Sequence, residues 1–283
     1  MTSRRGFIGA GLAAFALPRQ AFAARQRRYD PWLVYYRDTL PARAFFDYRL
    51  CAFDADKHPP LAPLLDRDIT LLGYLSLGEV ESYRPDFAAV RDAGYMLMEN
   101  PNWPGSYFVD IRDKRWTERI VKRLAARVWD QGFHGFFLDT LDNPPHLERT
   151  DPVRFKGMTQ AANDLVQTLR AAFPKAQIML NRAYELFEAS ADKVDFILAE
   201  SLRARFDAGS KTHIYTPEDE YREHLRQLRS AKSRNPALHI MTLDYWDPAD
   251  KSGIAKLYAM QRANGFLPYV ATPALDQVIA EPK

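Results

Sequence analysis

The chain has 283 residues, 47% hydrophobic and 27% charged, an ordinary globular composition with material for one large domain or two small ones. Its formal charge of +3 owes everything to residues 1–23, which carry Arg4, Arg5 and Arg19 and no acid, so the remainder is neutral. That neutrality, with no basic run beyond Arg25–Arg28, argues against a nucleic-acid partner, and the single cysteine, Cys51, excludes an internal disulfide.

Chain order begins with a targeting signal. Arg4 and Arg5 precede an apolar run from Phe7 to Leu17, and Ala21-Phe22-Ala23 offers a small-x-small cleavage pattern. The arrangement resembles a twin-arginine export signal, with cleavage after Ala23 and a periplasmic or secreted product. The run is too short to span a bilayer comfortably, so no stable membrane insertion is expected once it is removed. Residues 24–283 then form the folded domain.

Eight strand-like runs follow: WLVYY (32–36), YRLCAFD (48–54), ITLLGYLSL (69–77), GFFLD (135–139), QIMLN (177–181), DFILAE (195–200), HIMTLD (239–244) and FLPYVA (266–271). Most are continuously apolar, as strands covered on both faces are. Helix-compatible stretches lie between most of them, clearest at 115–132, 158–174 and 217–232. In 115–132, Ile120, Leu124, Ala125 and Val128 recur at three- and four-residue spacing, and Gly132 suits the turn into the next strand. The alternation predicts an α/β fold, a (β/α)8 TIM-like barrel in a single domain, with an open doubly wound sheet as the alternative.

In such a barrel the C-terminal strand ends form the mouth where catalytic groups collect. Here those ends are polar and mostly acidic. The second carries Asp54 and Asp56, the third Glu79 and Glu81, and the fourth Asp139 and Asp142. The fifth ends in Asn181, the sixth in Glu200 and the seventh in Asp244, Tyr245 and Trp246. Any one of these acids could merely cap a helix. Together they suit glycoside hydrolysis, in which one carboxyl protonates the leaving oxygen and another attacks the sugar or activates water. Tyr74, Tyr245 and Trp246 could stack on sugar faces, and Asn181 could hold hydroxyls.

SLGEVESYRPDF (76–87), GFFLDTLDN (135–143), MLN (179–181) and DFILAES (195–201) resemble, in order, the endo-α-1,4-polygalactosaminidases of glycoside hydrolase family 114. They are similar also to the related hydrolase domain of the Pel exopolysaccharide system. The resemblance implies cleavage of α-1,4-linked galactosamine or N-acetylgalactosamine polysaccharide, without a cofactor; an endo-acting, retaining enzyme is the expectation, while exo action, inversion and the choice of nucleophile stay open. It pairs Asp139 with Glu200, the first expected as nucleophile and the second as proton donor. It puts Glu79, Glu81, Tyr83 and Arg84 in a substrate-binding loop, and the segment WPGSYFVDIRD brings Asp110 nearby. Asp142 would tune Asp139 or bind substrate, with Pro144 and Pro145 stiffening their loop. The segment 202–220 departs from the family pattern. Oligomeric state stays open.

Two other classes remain. A non-catalytic carbohydrate-binding barrel could keep the same cleft. A metal-dependent hydrolase would need convergent ligands, yet His58, His134, His146, His213, His224 and His239 form no H-x-H or H-E-x-x-H pair. His134 and His239 precede strands and belong at the opposite end of the barrel. No G-x-S-x-G supports a serine nucleophile.

Overall fold

A computed structural model describes residues 28–283, so the export signal expected at residues 1–23 lies outside the described residues. Eight parallel strands hydrogen-bond in chain order: β1 (Trp32–Tyr35), β2 (Leu50–Phe53), β3 (Thr70–Ser76), β4 (Gly135–Asp139), β5 (Gln177–Asn181), β6 (Phe196–Glu200), β7 (His239–Tyr245) and β8 (Leu267–Ala271). All eight predicted strands are present. A doubly wound sheet would reverse its strand order at a switch point, and this sheet does not. It curls into a nearly closed barrel instead. At the seam between β1 and β8, the Trp32 indole donates to the Leu267 carbonyl at 2.9 Å, and the Tyr36 amide donates to Leu275 at 2.7 Å.

β1, β2, β7 and β8 are buried at every position, and β4 and β6 at every position but the last. Interior residues pack inside the barrel while helices cover the outside, which explains why the sequence runs are continuously apolar. The predicted helix at 115–132 spans Lys114–Asp130, its middle turn, Ile120–Ala125, wound as a π-helix. Trp116 on this helix donates to the Leu77 carbonyl at 2.8 Å, fixing the helix to the end of β3. Gly132 ends it at φ 98°, a conformation costly for any residue with a Cβ. Helices Met158–Ala172 and Glu218–Arg234 occupy the other two predicted stretches.

Two small sheets were not anticipated. Between β3 and the first long helix, Glu79–Glu81, Met96–Glu99 and Ser106–Val109 form a three-stranded antiparallel insert. After β6, Ala204–Asp207 and Thr212–Tyr215 form a hairpin in the segment that departs from the family pattern. These strands have only three or four residues, and Met96–Glu99 and the hairpin strands are mainly half-exposed or exposed, so they lack the long buried apolar run that marks the barrel strands. A second correction concerns Pro144 and Pro145. They stand in the first turn of a helix, Asn143–Thr150, where proline's missing amide hydrogen costs nothing, and do not stiffen a loop.

The seam yields a stability prediction. Trp32→Phe keeps an aromatic ring but removes the donor to Leu267, and should cost about 1–2 kcal/mol. The measurement is urea unfolding, with a lower midpoint and an unchanged slope expected.

Candidate active site

The C-terminal strand ends open into a cleft of about 840 Å³. β4 delivers Asp139 and β6 delivers Glu200, and β5, between them, delivers Asn181. Asn181 Nδ2 donates to Asp139 Oδ1 at 3.0 Å and to Glu200 Oε2 at 2.7 Å. The two acceptor oxygens therefore lie no more than about 5.7 Å apart, the sum of those two bonds. Asn181 is buried beneath them and outside the cleft lining, its Nδ2 committed to the two carboxylates and its Oδ1 unpartnered, so it positions the pair where the sequence suggested a holder of sugar hydroxyls.

The same backbone device recurs at each of these three positions. The residues that follow, Thr140, Arg182 and Ser201, have φ of 64°, 52° and 56°. A left-handed turn right after each functional residue swings the chain off the barrel rim. For residues other than glycine this conformation is uncommon and is held by surrounding contacts. Thr140 shows how: its Oγ1 donates to the Asp139 carbonyl and accepts from the amides of Leu77 and Gly78. Gly78 must be a glycine, because a Cβ there would sit 2.2 Å from the Thr140 carbonyl oxygen.

Burial, followed by the negative charges of Glu200 and Asp142, pushes the Asp139 carboxyl up to about 7, against the bonds from Asn181 and the Thr140 amide. Near neutral pH Asp139 is thus divided between acid and carboxylate. The Tyr245 hydroxyl donates to Glu200 Oε1 at 2.6 Å, and burial followed by the Glu200 charge raises the phenol well above its ordinary value. Asp142, just before helix Asn143–Thr150, makes no side-chain cap; burial raises it, countered by Arg182 at 3.8 Å.

The remaining predicted residues divide by where their polar atoms go. Tyr74, Glu81 and exposed Tyr83 line the cleft. Arg84 stands just behind it, bonded to Glu81, Asp54 and Asp56 at 3.1, 2.9 and 2.9 Å. The acids at the ends of β2 thus neutralise a guanidinium and do not project at substrate. Glu79 reaches the cleft wall, but its carboxylate is fully engaged by Asn100, Asn143 and Ser106, which makes it the tie between the insert and the helix after β4. Three expectations are corrected outright. Asp110 is held by Arg112, outside the cleft lining. Asp244 is buried and accepts from the amides of Arg203 and Ala204 and from Gln261, anchoring the hairpin. Trp246 stacks on Tyr215 at 5.0 Å and donates to Asp250, again buttressing the hairpin.

Sequence reasoning passed over Tyr36, Arg182 and Trp103. Tyr36 follows β1 and meets Tyr74 edge-on at 5.3 Å. Trp103 stands 69% exposed at the cleft rim. Their signals were present: an aromatic at a strand end, a cation directly after Asn181, and a tryptophan in a Pro-Gly turn. His134 and His239 lie at the opposite barrel end as expected, His134 Nδ1 accepting from the Leu71 amide and His239 packing on Tyr29. His146 and His224, by contrast, line the cleft. Among the described residues, no group of three or more His, Cys, Asp or Glu side chains is arranged to hold a metal ion.

The profile of glycoside-hydrolase family GH114 matches residues 20–282. Two uncharacterized proteins are 28% identical: one from Deinococcus radiodurans over 74% of this chain and 66% of its own length, one from Thermotoga maritima over 41% and 39%. The chain thus spans less than two thirds of either relative. Among solved structures, the glycoside hydrolase domain of PelA from Pseudomonas aeruginosa superposes with a TM-score of 0.79 at 24% identity, covering 89% of this chain and 98% of that one. Ega3 from Aspergillus fumigatus, in complex with galactosamine, gives 0.64 at 15% identity, covering 87% and 92%. At these identities the two structures establish the shared barrel.

The raised Asp139 carboxyl makes stability depend on pH. The neutral acid suits the buried site, so its contribution is intact below the ordinary value of 3.8 and fades as pH rises through about 7. Asp139→Asn removes that penalty. The variant should outlast wild type in thermal melts at about pH 8, by on the order of 2 kcal/mol, and match it at about pH 4.

Proposed function

Because the chain belongs to glycoside hydrolase family GH114, we propose that it is an exported, endo-acting hydrolase of α-1,4-linked galactosamine or N-acetylgalactosamine polysaccharide. Asp139 and Glu200 carry the reaction. The observation that supports this most is the shared donor, Asn181 Nδ2, whose two bonds bound the separation of Asp139 Oδ1 and Glu200 Oε2 at about 5.7 Å, near the about 5–5.5 Å of retaining enzymes and below the roughly 6.5–9.5 Å of inverting ones.

In the first step an Asp139 oxygen attacks the anomeric carbon while Glu200 gives its proton to the glycosidic oxygen. The C–O bond breaks, leaving a glycosyl ester on Asp139 and a free hydroxyl on the departing chain. Glu200, now a carboxylate, takes a proton from water, which attacks the anomeric carbon and releases Asp139. Asn181 and Tyr245 hold both carboxyls throughout, so little reorganisation accompanies the charge movement.

The cleft favours a cationic substrate. Seven of its lining residues are acids (Glu79, Glu81, Asp139, Asp142, Glu185, Glu200, Glu223), against two arginines, Arg149 and Arg182. An ammonium group on galactosamine would be drawn to that field. Placed beside Asp139, it would also favour the carboxylate form that the attack needs. Export along the twin-arginine route, and a domain spanning residues 24–283, complete the proposal. Among the described residues no helix is long and apolar enough to cross a membrane.

Reducing-end release from galactosamine polymer tests this directly. Asp139→Asn and Glu200→Gln should each lose about a thousandfold or more in kcat, equivalent to roughly 4 kcal/mol of transition-state stabilisation. Wild-type protein that binds the polymer yet releases no more than these variants would mark a binding barrel instead. Partly deacetylated polymer should be cut faster than the fully N-acetylated form at low salt, with the advantage shrinking at high salt. Equal, salt-independent rates would discard the cationic preference.

A further inference from the structure

One wall of the cleft holds three buried polar atoms that lack a hydrogen-bond partner: Tyr184 Oη, His224 Nδ1 and Gln227 Oε1. Tyr184 stands three residues past Asn181, and His224 and Gln227 are neighbours at i and i+3 on helix Glu218–Arg234. Tyr184 and His224 stack at 4.0 Å with planes 10° apart, so each covers one face of the other. The stacked faces are thus unavailable to a ligand, and the three unpaired atoms, closed off from solvent in this conformation, would meet one through a small shift of the wall side chains. Burial holds the His224 imidazole below its ordinary value, leaving a neutral ring. An unpaired buried polar group costs about 1–3 kcal/mol, and three in one patch call for a common cause. The charged groups around them are engaged elsewhere: Arg149 pairs with Glu185, Glu223 takes Arg226, Glu220 takes Arg205, and Arg182 faces Asp142.

We propose that Tyr184, His224 and Gln227 form a subsite for a second sugar unit of the polymer, beyond the one held over Asp139 and Glu200, and recognise its hydroxyl groups. A sugar hydroxyl both donates and accepts, so adjacent hydroxyls on one pyranose can satisfy a phenol, a neutral imidazole nitrogen and an amide oxygen together. This subsite rests on the polysaccharide hydrolase reading and deepens it. It makes these three residues determinants of how the chain is positioned and leaves the bond-breaking to Asp139 and Glu200.

The test uses near-isosteric variants in the full-length protein, Tyr184→Phe and Gln227→Met, singly and together. Removing an unsatisfied buried atom should leave the melting temperature unchanged or raise it, whereas removing a structural bond would lower it. The double variant should raise KM on galactosamine oligosaccharides about tenfold, with kcat changed less. Placed in an Asp139→Asn background, it should weaken calorimetric binding of a galactosamine tetrasaccharide about tenfold. Unchanged affinity, or a drop in melting temperature that accounts for the loss, overturns the subsite. Should the Asp139→Asn protein bind no galactosamine oligosaccharide with its wall intact, the polysaccharide reading itself fails, a result separable from failure of the subsite.

Discussion

Two carboxylates cannot share a half-buried cleft unless something offsets their repulsion and holds them at a fixed spacing. In this barrel one amide nitrogen does both. Asn181 Nδ2 points its two hydrogens at Asp139 and at Glu200, from a strand lying between the two that carry them. The bridge depends on β4, β5 and β6 being adjacent and parallel, because only then do three consecutive strand ends meet at the rim. Burial, and next the Glu200 charge that the bridge does not cancel, raise the Asp139 carboxyl. The pair is thus kept close at a cost that the bridging amide lowers.

The surrounding structure serves that spacing at several removes. Left-handed turns at Thr140, Arg182 and Ser201 lead the chain away from the rim, so the loops rise without crowding the carboxylates. Thr140 is pinned by the loop after β3, which can approach it because residue 78 has no side chain. Glu79 couples the antiparallel insert to the helix after β4, and Asp244 couples β7 to the hairpin after β6. These two acids stand at the mouth but are consumed in building it. Their carboxylates replace backbone and amide partners that burial would otherwise leave unsatisfied.

The barrel was legible because its strands are buried on both faces, which writes an unbroken apolar run into the sequence. Asp139 and Glu200 stood out for the related reason that a buried run ending in an acid is costly without a purpose. Position along a strand does not reveal a side chain's partner, and that is where the reading failed. Asp244 and Trp246 share the strand-end pattern of the site residues, and Asp110 came in with the family resemblance, but the hairpin amides, Tyr215 and Arg112 claim them. Asn181 was found and given the wrong task, since its bridging role depends on two residues 42 and 19 positions away. The insert and the hairpin went unseen because strands of three or four residues are too short to carry a periodic signal. Tyr184, His224 and Gln227 converge only where the turn after β5, Tyr184–Leu186, meets the long helix, which no local pattern records.

The central claim is that Asn181 holds Asp139 and Glu200 at the separation of a nucleophile and its partner acid. Its most direct measurement is the configuration of the first-formed product, followed by proton NMR before the new reducing end equilibrates. Hydrolysis of an α-1,4-linked galactosamine oligosaccharide should release the α-anomer first, the signature of two successive displacements. A β-anomer appearing first would mean that water attacks directly across a wider gap, contradicting the geometry on which this account is built.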